Sequence, residues 1–245
     1  MIQKNYFKFI AVGLFLLGTV SLVVGYSFNY LNIQASNLSS GFKVTYHQTG
    51  ENSDSSGRLL QAIIERQQQS NGEWKETVLW FDLDGKTVVK KTEKYAINGR
   101  GLYKVDEQNK RLVFLGLRPE VPVVPAPEDL RKNPDFVRED SILGYQTFVS
   151  RQAFDESNFT EVYAAPSLQG VPLKIIIGSG ESKTIIEAVK VEPEDKIIST
   201  SMETPNYPIS YESFEKGIKS MERGGNVQEA EQMRQELNRR KDNER

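Results

Sequence analysis

The stretch KETVLWFDLDGKTVVKKTE, residues 75–93, has the pattern of a β-hairpin. Asp84-Gly85 lies near its centre, and this dipeptide supplies the positive φ angles that a tight hairpin turn requires. Alternation along the first strand divides its residues into two sets: Thr77, Leu79, Phe81 and Leu83 on one face, and Val78 and Trp80 on the other. Both faces therefore carry apolar side chains. This predicts a sheet that is covered on both sides or curled around something.

The same turn signals recur along the chain. Asn71-Gly72 and Asn98-Gly99 are further hairpin dipeptides between strand-like runs. The segment GLYKVDEQNKRLVFLGL, residues 101–117, adds two strands around a polar loop from Asp106 to Lys110. Residues 59–67 fit a helical stripe as well as a strand, but they lead directly into Asn71-Gly72, so we predict a strand. The spacing predicts an antiparallel meander.

Five prolines interrupt the chain in RPEVPVVPAPEDLRKNP, residues 118–134. Because proline fixes φ and cannot donate to a sheet, we predict an extended loop that crosses one end of the sheet. A second group of strands follows, with a turn at Gly178-Ser179-Gly180 between the last two. These strands are predicted at residues 145–150, 159–165, 171–177 and 184–191. The fold class is mainly β, with an antiparallel sheet.

The N-terminal residues predict a membrane anchor. Lys4 and Lys8 precede FIAVGLFLLGTVSLVVGYSF, residues 9–28, an uncharged segment long enough to span a bilayer once. Basic residues before the span favour a cytoplasmic N-terminus and an extracytoplasmic main domain. The alternative is a cleaved signal peptide, whose apolar core would be shorter, about 7 to 15 residues. We expect an uncleaved single-pass anchor in residues 1–30, a tether in residues 31–40 and the main β domain in residues 41–208.

Charge and cysteine content exclude several classes of function. The chain has 31 Lys and Arg against 33 Asp and Glu, a net charge of −2, so no general attraction to nucleic acid is expected. The absence of cysteine excludes a lipoprotein acylation site and a disulfide framework.

The C-terminal residues 209–245 are predicted to form a charged helical tail. Residues 211–245 contain eight basic and eight acidic side chains, and Gly224-Gly225 divides them into two short helices. A thin apolar seam in the second helix consists of Val227, Ala230, Met233 and Leu237. A helix this polar is more often a solvated tail than a docking element, but residues 211–245 are kept as a candidate site for a protein partner.

Residues for catalysis are scarce. The chain has a single histidine, His47, and no cysteine, so the usual nucleophile and base pairs are missing. His47 without partner ligands is best interpreted as an ordinary strand residue. We predict no catalytic residue, no metal site and no cofactor, although an enzyme using two carboxylates stays open because acidic residues are plentiful.

A family resemblance emerges from the second group of strands. The strand EVYAAP ends in Tyr163, Ala164, Ala165 and Pro166, and the strand LQGVPLKIII begins with Gly170, Val171, Pro172, Leu173 and Lys174. This order resembles the C-terminal half of the LolA-like superfamily, which includes periplasmic lipoprotein carriers and the sensor domain of the RseB stress regulator. Residues 99–116 resemble the middle hairpin of that family, and the resemblance covers about residues 41–208.

The resemblance implies a strongly curved antiparallel sheet, an open, unclosed barrel whose concave apolar face binds an acyl chain or another hydrophobic ligand. The implied function is a membrane-anchored binding module of the bacterial envelope for a lipid or a lipidated peptide. Candidate ligand-lining residues are Trp80, Phe81, Tyr103, Phe114, Phe148, Tyr163, Leu173 and Ile175. Two alternatives stay open: a sheet filled by its own side chains, and an envelope regulatory or protein-interaction module without a small ligand.

Overall fold

A computed structural model of the protein describes residues 41–50, 61–82, 84–117, 126–153, 155–194 and 203–243. They divide into two units. The described parts of residues 46–50 and 126–189 belong to unit 1, and those of residues 41–45, 61–117 and 190–243 belong to unit 2. The predicted anchor in residues 9–28 and the tether lie outside the described residues. Within the described ranges, no helix has the length and apolar character needed to cross a membrane.

Unit 2 contains an antiparallel meander. The strands are β1 (Gly41–Gly50), β2 (Gln61–Gln68), β3 (Trp74–Phe81), β4 (Val88–Ile97), β5 (Gly101–Asp106), β6 (Arg111–Gly116), β11 (Ser182–Glu194) and β12 (Ile209–Ser210). Their hydrogen-bonded neighbours follow the order β12-β6-β5-β4-β3-β2-β1, and β1 is followed by β11. β1 and β11 each have one part in unit 2 and the other in unit 1. The two-residue β12 pairs parallel with β6 and was not predicted.

The hairpin turns of unit 2 are confirmed. Gly72, Gly85 and Gly99 have φ angles of 87°, 65° and 67°, in the region that favours glycine. Asp84 supports its turn because its carboxylate accepts hydrogen bonds from the Lys86 and Thr87 amides at 2.8 and 3.0 Å. The ambiguous segment is also a strand, β2, in which Gln61–Gln68 pairs with β3 along its whole length.

Two C-terminal helices pack on one face of the unit 2 sheet. Helix α2 spans Glu212–Arg223 and helix α3 spans Val227–Asn243. Their buried residues Ile218, Ala230 and Leu237 form a cluster with six strand residues, Tyr95, Ile97, Tyr103, Val105, Leu112 and Phe114. We call the side of the sheet that carries these six residues the helix-covered face. The apolar seam predicted for the last helix thus lies against the sheet, apart from Val227, which is 59% exposed.

Unit 1 contains a second antiparallel series. Besides β11, its strands are β7 (Phe136–Ile142), β8 (Tyr145–Ala153), β9 (Phe159–Ala165) and β10 (Val171–Ser179), in the order β11-β10-β9-β8-β7. The predicted turn at residues 178–180 is misplaced, since β10 continues through Gly178 and the turn follows at Gly180-Glu181. Gly178 is needed inside the strand, because a Cβ there would come within 2.5 Å of the Phe159 ring.

Two elements of unit 1 differ from the predictions. The extended loop predicted for residues 118–134 is wrong at its end, where Pro127–Lys132 forms a short helix, α1. Proline is favourable at the first position of a helix, and acidic residues in the first turn with basic ones in the last suit the helix dipole. Strand β7 was not predicted; it joins β8 through Leu143-Gly144, with φ angles of 52° and 81°.

The described residues are therefore mainly β. The strand order ends at β12 and at β7, which do not pair, so the sheet is unclosed as predicted. Its strong curvature stays a prediction.

Truncating Leu237 tests whether α3 is part of the folded core. Leu237 is 2% exposed, so Leu237→Ala should lower the free energy of unfolding by about 2 to 4 kcal/mol, as for other buried leucines. Val227→Ala, on the exposed side of the same helix, should change it by less than about 0.5 kcal/mol. Chemical denaturation of both variants measures the difference. Equal small effects would mean that α3 is a solvated tail.

Candidate functional site

The side of the unit 2 sheet opposite the helix-covered face combines apolar and cationic residues, and we call it the lysine face. Strand pairing places Trp80 opposite Ala62 and Lys90, and Lys94 opposite Glu76 and Lys104. Since alternate residues of a strand share a face, these pairings identify the residues of the lysine face. Its members are Ala62, Ile64, Arg66 and Gln68 on β2, Trp74, Glu76, Val78 and Trp80 on β3, Lys90, Thr92, Lys94 and Ala96 on β4, and Leu102 and Lys104 on β5.

The lysine face has a buried apolar floor and a more accessible rim. Ile64, Trp74 and Val78 are 7%, 6% and 5% exposed. Trp80 and Leu102 are only half-buried. Buried apolar residues with a few polar groups at the margin are typical of sites for small ligands.

A charged row crosses this floor from strand to strand. It consists of Arg66, Glu76, Lys94 and Lys104, each the direct cross-strand partner of the next. Lys94 is 5% exposed, and its ammonium lies 3.5 Å from the Glu76 carboxylate. The Arg66 guanidinium stacks 4.3 Å above the Trp74 ring and donates to the Gln68 side chain at 3.0 and 3.1 Å. The first three members therefore alternate in charge.

Lys104 ends the row in an unfavourable electrostatic position. Burial lowers the pKa of its ammonium, and the positive charges of Lys90 and Lys94 lower it further, while Asp106 acts in the opposite direction. Among the described residues, no carboxylate lies within ion-pair distance of Lys104. Hydrogen bonds from Asn109 and Arg111 lower the pKa of Asp106 to about 2, so this carboxylate already has partners.

The candidate residues of unit 2 fall on both faces. Trp80 lies on the lysine face, whereas Phe81, Tyr103 and Phe114 lie on the side of the helix-covered face. The Phe114 ring contacts Tyr103, Tyr211 and Phe214 at centroid distances of 5.6, 5.1 and 4.9 Å. Tyr103 and Phe114 thus pack among other side chains of the protein, and this packing belongs to the core.

The candidate residues of unit 1 are also divided. Phe148 pairs with Ala164 and Ile175 with Val162, so Phe148 and Ile175 share one side of the sheet. Tyr163 pairs with Val149 and lies on the other side. Leu173 is fully buried at the irregularity between Pro172 and Lys174, where the β9–β10 register shifts.

Protein side chains surround Phe148 and Tyr163. Phe148 lines a hollow beneath α1, together with Leu130, Asn133, Phe136, Val149, Ser150 and Ala164. This hollow has a volume of about 10 Å³, enough for about one water molecule and too small for an acyl chain. The Tyr163 hydroxyl accepts from Arg138 at 2.8 Å and donates to Glu161 at 3.0 Å. Burial raises the pKa of Tyr163, and the bond to Glu161 raises it further.

The lysines of this face are not among the predicted site residues. The spacing of Lys90, Lys94 and Lys104 does not show which side of the sheet the helices cover. One local signal exists. Lys94 alternates with Glu93 and Tyr95 along the strand, so it lies on the opposite side of the sheet from both.

No group of His, Cys, Asp and Glu within the described ranges could hold a metal ion. His47 is exposed on β1.

No protein-family model and no curated protein matches the chain. Among solved structures, it is similar to an uncharacterized conserved protein from Thermus thermophilus, with 12% identity and a TM-score of 0.39 over 71% of this chain and 92% of that one. It is similar to a chain of the Pseudomonas aeruginosa MucA/MucB complex, with 17% identity and a TM-score of 0.34 over 63% of this chain and 52% of that one. This chain therefore spans about half of that relative.

A LolA superfamily protein from Nitrosomonas europaea also matches, with 12% identity and a TM-score of 0.30 over 66% of this chain and 89% of that one. The solved structures that the chain resembles thus include LolA superfamily proteins, as its motifs predicted.

Replacing Lys104 tests the electrostatics of the charged row. Lys104→Met keeps an unbranched apolar stem and removes one of two like charges that face each other, so it should raise the free energy of unfolding by about 0.5 kcal/mol near neutral pH. The folded-state pKa lies below the unfolded one, so the penalty of the lysine is fully present below the folded pKa and is lost as pH rises from the folded pKa to the unfolded pKa. Denaturant titrations near neutral and at alkaline pH measure this.

Lys91→Met is the matched control. Lys91 lies on the other side of β4 and its ammonium is 2.8 Å from the Glu93 carboxylate. Its replacement should leave stability unchanged or slightly lower. A loss of stability in Lys104→Met would contradict the account, because it would mean that the ammonium has a stabilising partner.

Proposed function

We propose that the protein is a membrane-anchored, extracytoplasmic module that binds a hydrophobic ligand, a lipid or a lipidated peptide, on its lysine face. The anchor and the orientation rest on the uncharged residues 9–28 and the basic residues before them. The observation that carries the proposal is the buried apolar floor of Ile64, Trp74 and Val78, with the half-buried Trp80 and Leu102 at its rim. An apolar floor of this kind binds by removing ligand surface from water.

Helices α2 and α3 pack on the opposite side of the unit 2 sheet from the lysine face. The sheet residues that α2 and α3 contact belong to the helix-covered face. The C-terminal helices therefore complete the core on one side of the unit 2 sheet, and their contacts do not include the floor on the other side.

The free energy gained by burying an alkyl chain is large enough for measurable binding. Each methylene removed from water contributes about 0.8 kcal/mol, so ten methylenes contribute about 8 kcal/mol before costs. Association costs at least about 4 kcal/mol, which leaves a measurable affinity for a medium-length chain and a stronger one for a longer chain.

Tryptophan fluorescence can report binding to this face directly. The chain has two tryptophans, Trp74 and Trp80, and both lie on the lysine face. Bromine quenches tryptophan only at near contact. We expect 11-bromoundecanol to quench the emission of the full chain in phosphatidylcholine nanodiscs in a saturable way, and unbrominated undecanol to compete without quenching.

Two matched leucine variants locate the site. Leu102 is half-buried on the lysine face, and Leu79 is half-buried on the opposite side of β3. Leu102→Gln should weaken binding about fivefold through lost apolar contact, whereas Leu79→Gln should leave it unchanged. Circular dichroism checks that both variants stay folded. The absence of saturable quenching, or equal effects of both variants, would sink the proposal and favour a regulatory, protein-binding module.

A further inference from the structure

Two lysines face each other across the β4–β5 pair. Lys94 and Lys104 are direct cross-strand partners, a geometry that brings Cβ atoms to about 5 Å. Like charges directly opposite each other destabilise a sheet, and burial strengthens the repulsion because less water screens it. Lys94 is 5% exposed and Lys104 is half-buried. The fold therefore concentrates positive charge in a place where that charge is costly.

Cations exceed carboxylates on this side of the sheet. On the described strands β2 to β6 the lysine face and its continuation carry five cations, Arg66, Lys90, Lys94, Lys104 and Arg111, and two carboxylates, Glu76 and Asp106. Asp106 accepts from Arg111 at 2.8 Å, and Glu76 lies 3.5 Å from Lys94. On these strands the cations therefore exceed the carboxylates by three, five minus two.

The charged row also shows which chemistry would fit. Glu76 lies between Arg66 and Lys94 in the row, so a carboxylate there has a cation on each side. The gap between Lys94 and Lys104 likewise has a cation on each side, and no side-chain carboxylate of the described strands occupies it. A carboxylate in this gap would continue the alternation of charge and receive charge-assisted hydrogen bonds.

We propose that Lys94 and Lys104 bind the carboxylate of a single-chain anionic amphiphile, such as a free acyl chain, whose apolar part lies along the floor of the lysine face. This inference rests on the proposed function and adds the class of ligand and its orientation. The row divides the floor, with Trp74 two residues from Glu76 on one side and Trp80 four residues away on the other. At about 3.3 Å per residue these steps span about 7 and 13 Å, so an eleven-carbon chain running either way passes a tryptophan.

The test compares two probes that differ only in the headgroup. We measure quenching of the full chain in phosphatidylcholine nanodiscs by 11-bromoundecanoate and by 11-bromoundecanol near neutral pH. The carboxylate should bind about tenfold more tightly than the alcohol, the size expected for hydrogen bonds to a charged group. Lys104→Met should reduce this preference to about threefold or less, and Lys91→Met should preserve it. Circular dichroism of Lys104→Met checks that a loss of preference does not come from unfolding.

The outcomes separate this inference from the proposed function. Equal binding of acid and alcohol would overturn the headgroup site and leave hydrophobic binding intact. Saturable binding of neither probe would overturn both. Equal losses in Lys104→Met and Lys91→Met would mean general surface attraction, which also overturns the site. Dodecyl phosphate displacing the acid more strongly than laurate would overturn the choice of a carboxylate.

Discussion

The packing of Phe114 beneath Tyr211 and Phe214 is the contact on which the interpretation of unit 2 depends. A strand directs alternate side chains to opposite sides, so the helices that bury Phe114 can cover only one of the two. The residues next to Phe114 in the pairing, Tyr103 and Tyr95, follow it into the same core. The residues of the lysine face, from Ile64 to Lys104, are not members of this core cluster. One side therefore completes the fold with the helices, and the other carries the binding function that we propose.

Electrostatics gives that second side its chemical character. A purely structural floor would have apolar or paired residues throughout, because an uncompensated buried charge costs stability. Lys94 meets this requirement through Glu76, but Lys104 is the direct cross-strand partner of a like charge, Lys94. Lysine stems can cover apolar surface while their charges reach water, which would account for Lys104 alone. That account does not explain why a second, nearly buried lysine lies directly opposite. A ligand anion between the two explains both.

Much of the fold could be predicted from the sequence because its signals are local. Asp84-Gly85 fixes a turn through its own backbone, and alternation from Thr77 to Phe81 fixes a strand. β7 was missed because Phe136–Ile142 is mostly exposed and lacks apolar alternation. The site depended on non-local facts. Tyr103 and Trp80 are equally aromatic, and only the docking of α2 and α3 determines that the first joins a core and the second does not. The predicted ligand-lining set therefore mixed residues from both sides of the sheet.

The most direct test of the central claim is a crystal structure of the protein with 11-bromoundecanoate, in which the anomalous signal of bromine marks the end of the chain. The account predicts a bromine peak on the lysine face, in contact with Trp74 or Trp80, and carboxylate density between Lys94 and Lys104. A peak between the sheet and helices α2 and α3, or a saturated crystal without a bromine peak on the lysine face, would contradict it.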